Sequence, residues 1–102
     1  MKSENIIVRI LGKGQYTVSK DILKELNNID NRIVRLLKKD GEEEKLRELV
    51  REMIKLVKSN GKKVNNKRIL PSSIAIPNED ITLAEAKKIF QGEGIISEEL
   101  VS

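Results

Sequence analysis

Between Ser19 and Gly61 the apolar residues recur in steps of three and four, with charged residues in the gaps. In the first half Ile22, Leu26, Ile29, Ile33 and Leu36 keep that step, and Leu23, Val34 and Leu37 stand beside them. This is the period of an amphipathic helix, not of a strand. At about 100° per residue these positions span an arc of roughly 160°, wider than a two-stranded seam, so the helix is expected to touch more than one neighbour. Ser19 is placed to accept an unpaired amide of the first turn, Asp21 suits the positive end of the helix dipole, and Lys38 and Lys39 suit the negative end. Asp40 and Gly41 break the pattern, with Gly41 expected to close the helix in the left-handed conformation, and Glu42, Glu43 and Glu44 open a second helix. There Leu46, Leu49, Val50, Met53, Ile54, Leu56 and Val57 fill one broad face, while Glu43 with Arg47 and Glu52 with Lys55 can pair on the other. Asn60 and Gly61 end it. Each helix is about 30 Å long at 1.5 Å per residue, so the two are predicted to lie antiparallel as a hairpin.

The flanking segments change period. Over residues 5–18 the pattern reads strand, turn, strand: Ile6, Val8 and Ile10 share one face, Ile7 and Leu11 the other, and Tyr16 and Val18 alternate after the turn. Gly12, Lys13 and Gly14 make a glycine-bearing hairpin turn. It lacks the spacing of a phosphate-binding loop and does not lead into a helix. Pro71 to Pro77 enclose Ile74, Ala75 and Ile76, a short run predicted as a third strand at a sheet edge because proline cannot donate to a ladder. Thr82 and Glu85 form a capping box ahead of Leu83, Ala86, Ile89 and Phe90, which pattern a third helix closed by Gly92 and Gly94. The order ββααβα predicts an α+β domain in which a sheet of about three strands covers one face of the helical hairpin. Residues 1–96 are expected to form this single domain and 97–102 a frayed tail.

With 38% apolar residues and only one Tyr and one Phe, Leu, Ile and Val must carry the packing, which argues against an aromatic-lined ligand pocket. The chain has no Cys and no His. That removes disulfides, thiolate nucleophiles, imidazole bases and the usual zinc sites, and no spaced acidic loop resembles an EF-hand. Asp80 and Glu85 are explained by the helix start between them. The expectation is therefore a protein that is not an enzyme and needs no cofactor or metal. The run Ile6, Ile7, Val8 is too short for a signal peptide or a membrane span, which predicts a cytoplasmic protein.

Two candidate contact surfaces remain. The apolar arcs of the hairpin exceed what one neighbour needs, and Leu46, Val50, Met53 and Val57 are candidates for receiving an amphipathic partner helix. The linker from Lys62 to Leu70 gathers Lys62, Lys63, Lys67 and Arg68, which with Lys13 could attract phosphate from an anionic membrane or nucleic acid. Nucleic acid is disfavoured, because stacking aromatics are lacking. An open sheet edge could also pair with a second copy, giving a homodimer.

The segment Ile7-Val8-Arg9-Ile10-Leu11-Gly12-x-Gly14-Gln15-Tyr16, followed by paired helices, resembles the opening of the PspAA family, small proteins associated with phage shock protein A. Leu70-Pro71-Ser72 leading to Ile76-Pro77, then Asp80, Thr82, Leu83 and Glu85, then Gly94-Ile95-Ile96, is similar in type and order to that family's second half. The likeness covers nearly the whole chain. Ser73 and Lys13 depart from it where members commonly carry acidic residues. The resemblance implies a non-enzymatic accessory or adaptor protein of a membrane-stress response, acting with PspA-type, ESCRT-III-like coiled-coil proteins at the inner face of the membrane. It supplies no catalytic residues.

Overall fold

The computed structural model describes residues 6–39, 41–64, 71–92, 94–96 and 100. Its elements run β1 (Ile6–Ile10), β2 (Gly14–Val18), α1 (Lys20–Lys38), α2 (Glu43–Asn60), β3 (Lys62–Lys63), β4 (Ile74–Ile76) and α3 (Leu83–Ile89). The α+β class stands as expected, but the sheet has four strands in the order β3-β2-β1-β4 where about three were predicted. The extra strand comes from the basic linker: Lys62 pairs with Thr17 and Lys63 with Tyr16, and the Val64 N–H donates to the Gln15 carbonyl at 2.9 Å. Two lysines carry no apolar alternation, so nothing in their pattern announces a strand.

β1 and β2 form the predicted hairpin, with Ile10 opposite Gly14, and Gly12 and Gly14 take φ of 84° and 101°. A three-residue hairpin loop requires such positive φ values, which glycine adopts without steric penalty. β4 lies parallel to β1 at the sheet edge, Val8 beside Ile74 and Ile10 beside Ile76. Both edges hinder pairing with another strand: β3 is two exposed lysines, and β4 is enclosed by Pro71 and Pro77.

Alternation along the strands sends Val8, Ile10, Tyr16, Val18, Ile74 and Ile76 to one face, all buried against the helices. On the helices the inward set is Leu23, Leu26, Asp30 and Ile33 from α1, and Leu46, Leu49, Val50, Met53, Ile54 and Val57 from α2. The α1 stripe keeps Leu26 and Ile33 of the expected set but is rotated toward Leu23 and Asp30, so Ile22, Ile29 and Leu36 pack half-buried at the margin of the core. Ala86, Phe90 and Ile96 complete the core from the carboxyl-terminal side.

The helix ends follow local chemistry. The Ser19 hydroxyl accepts from the Ile22 N–H at 3.4 Å. Thr82 and Glu85 make the full capping box, with bonds of 3.1 and 3.0 Å. Gly41 departs from expectation, for its φ is not positive. Its N–H bonds the Leu36 carbonyl at 2.9 Å, and a side chain there would run into Leu36, so close approach is what calls for glycine. Of the expected surface pairs Glu43–Arg47 forms at 3.1 Å, whereas Glu52 and Lys55 make no ion pair with each other. Asp40 and Leu70 lie outside the described residues, as does the tail apart from Leu100, which packs half-buried against the core.

Candidate partner-binding surface

Leu46, Val50, Met53 and Val57 are all at 0% exposure, inside the chain's own core. The sheet and α1 consume that face of α2, and a partner would reach these four only by opening the fold. What remains on the hairpin is its solvent side. There α1 and α2 leave a groove of about 780 Å³ whose floor includes the half-buried Ile29 and Leu56, flanked by Arg32, Arg35, Lys55, Glu25 and Glu52. Its lining residues step by three and four along both helices, the spacing at which a third helix could interdigitate. A smaller groove of about 420 Å³ near the β1–β2 turn holds two exposed large apolar residues, Leu11 at 43% and Ile89 at 41%, beside Pro77 and Ile81.

Of the basic candidates, Lys62 and Lys63 are exposed on β3 and Lys13 is half-buried in the turn; Lys67 and Arg68 lie outside the described residues. Strand pairing brings part of the set together. A β-carbon at Gly14 would sit 3.6 Å from the Lys63 side chain, so Lys63 reaches the turn that bears Lys13.

Two polar clusters hold the carboxyl-terminal segment on the helices; Asp30 was not singled out from the sequence, and Glu43 with Arg47 was read only as a surface pair. Asp30 is the buried charged residue among those described, at 0% exposure. Its carboxylate accepts from the Ile95 N–H at 3.2 Å and the Ile96 N–H at 3.0 Å, fastening the segment after α3 to the middle of α1. Gly94 turns at φ +96°, and any β-carbon there would lie 2.5 Å from both carboxylate oxygens. A buried carboxylate is tolerable when backbone donors solvate it in this way. The signal was Asp30 itself, a charge at a core position between Leu26 and Ile33. In the second cluster Arg47, held by Glu43, donates to the Ile81 carbonyl at 3.2 Å and the Asp80 carbonyl at 3.4 Å, while Glu43 accepts from the Leu83 N–H at 3.4 Å. The pair read as surface charge thus ties the start of α3 to α2.

No group of three or more His, Cys, Asp or Glu able to hold a metal occurs among the described residues, and no helix there is long and apolar enough to cross a membrane. The fold and its surfaces define a small α+β domain whose open feature is a mixed-charge groove on a helical hairpin. A family model described as PspA-associated protein, PspAA, matches residues 6–98, and the chain belongs to that family. No curated protein and no solved structure matches the chain.

Proposed function

We propose that this chain is a non-enzymatic adaptor of a PspA-type stress system, seating one helix of a PspA-like coiled-coil protein in the groove between α1 and α2. The observation that carries the reading is the match over residues 6–98 to a family described by its association with PspA. The groove supports a helical occupant. Its lining runs from Glu25 to Arg35 on α1 and from Glu52 to Asn60 on α2, about 15 Å of helix, with aliphatic residues on the floor and charges of both signs on the walls. A partner helix with an apolar stripe flanked by alternating charges matches that chemistry.

Calorimetric titration against the PspA-type protein of the same organism, at about 50 and 500 mM salt, tests the reading. Binding that survives the higher salt is expected, because burial of Ile29 and Leu56 contributes beyond the charges. Ile29→Ala and Leu56→Ala should each weaken it by about tenfold, as central contacts do. Absence of heat at both salts sinks the adaptor reading; binding indifferent to both substitutions removes the groove from it.

A further inference from the structure

The strand residues buried against α1, α2 and α3 all belong to one face of the sheet, and among the described residues no element covers the other. That face presents two adjacent cross-strand rows: Ile7, Thr17 and Lys62 in one, Ala75, Arg9 and Gln15 in the next. Arg9 and Lys62 are exposed there, whereas Lys63, paired with Tyr16, alternates to the helix side of the edge strand, and Lys13 is half-buried in the adjoining turn. Residues 6–18, 62–64 and 74–76, which make up the four strands and that turn, contain no Asp or Glu.

The same excess appears in the count for the whole chain. Taking these four cations from the 20 Lys and Arg leaves 16, equal to the 16 Asp and Glu, so the sheet and its turn hold the entire net charge of +4. A protein whose sheet and adjoining turn carry cations and no carboxylate has a directional attraction for anionic surfaces.

We propose that this uncovered sheet face docks on an anionic phospholipid bilayer. A bilayer offers a planar field of phosphates, and a flat face with cations spread over two rows and aliphatic or small residues between them meets it without needing a shaped pocket. Single-stranded nucleic acid would want stacking platforms, and the chain's two aromatic residues, Tyr16 and Phe90, are buried in the core. The inference does not rest on the adaptor reading, since the helix groove uses other residues on the solvent side of the hairpin.

Each cation near an anionic leaflet contributes about a fivefold factor in partitioning, so four give binding in roughly the millimolar range of accessible lipid. Sedimentation of the full chain with vesicles of phosphatidylglycerol and phosphatidylcholine in equal parts, at about 50 mM salt, should reveal it, and about 500 mM salt should abolish it. Vesicles of phosphatidylcholine alone should bind little. The double variant Arg9→Gln/Lys62→Gln should lose up to about 25-fold, and Lys13→Gln/Lys63→Gln, at the turn and on the helix side of the edge strand, a smaller factor. Lys24→Gln/Lys45→Gln, which removes equal charge from exposed positions of α1 and α2, should bind as the parent does. Parent-like binding by both sheet variants overturns the proposal, as does equal loss in the helix variant. No sedimentation with the anionic vesicles, or tighter binding to a DNA duplex than to them, does so as well.

Discussion

Asp30→Asn is the substitution that bears most directly on how the chain closes its fold. The parent carboxylate directs one oxygen at each of two backbone donors, at 3.2 and 3.0 Å, and Ile96, which bears the closer donor, is 1% exposed. An amide of the same shape can offer its oxygen to only one of them and must turn its own donor toward the other. One charge-assisted bond is lost and a buried N–H is left facing another N–H, which costs about 2 to 4 kcal/mol. Removing the charge also relieves a desolvation penalty, which works the other way. Relief is the smaller effect here because the orphaned donors belong to the backbone and remain in any variant. In a chain of this size the loss corresponds to a fall in Tm of about 10 to 20 °C. Urea and thermal unfolding followed by circular dichroism measure it, and hydrogen exchange at the Ile95 and Ile96 amides should report the local release first. A variant within about 0.5 kcal/mol of the parent, with both amides still protected, would refute the clamp. Gly94→Ala attacks the same contact from the other side, pressing a methyl group onto the carboxylate at positive φ. In an Asp30→Ala background that collision is gone, so the two substitutions should be non-additive by about 1 kcal/mol or more.

Met53→Ala should lower stability by about 2 to 5 kcal/mol in the same unfolding assay, because the side chain is fully buried among α2 and sheet residues. Any loss of partner binding by that variant should track its unfolding and not a surface contact. Thr82→Ala removes the hydroxyl half of the α3 capping box and should cost about 1 kcal/mol, with the effect confined to exchange of the first-turn amides of α3.

Periodicity was sufficient to read the hairpin of helices, the amino-terminal strands, the proline-enclosed edge strand and the capping box, because each has a local chemical cause. The fourth strand was hidden for the opposite reason. Lys62 and Lys63 pair with β2 only because α2 ends beside Val18, a tertiary circumstance with no trace in a Lys-Lys pair. Asp30 misdirected the reading of α1: a charge at a core position hid the turn of the buried face toward Leu23, so Ile22, Ile29 and Leu36 were grouped with Leu26 and Ile33 although only the last two are buried. The partner surface suffered from the same limit. Leu46, Val50, Met53 and Val57 form a proper apolar stripe, but whether a stripe meets the chain's own sheet or another molecule depends on layer packing. The groove floor at Ile29 and Leu56 became visible only once the packed side was known.

The two proposed surfaces obey different physics, which allows them to fail separately. The groove has both signs of charge and a partly apolar floor, so its binding should persist when salt screens exposed charges; the sheet face has one sign and little apolar area, so its binding should vanish. A single copy held by four cations leaves a bilayer readily, since about fivefold per cation amounts to a weak association. Copies arrayed on a coiled-coil assembly would leave together only if every face released at once, and the effective affinity rises steeply with the number of copies even though no contact is added. Vesicle binding by the chain mixed with the proposed PspA-type partner should therefore exceed the sum of the two measured apart. Leu56→Ala should remove that excess while leaving the weak binding of the lone chain intact. If the excess survives Leu56→Ala but not Arg9→Gln/Lys62→Gln, the partner is engaged elsewhere and the sheet face alone is upheld.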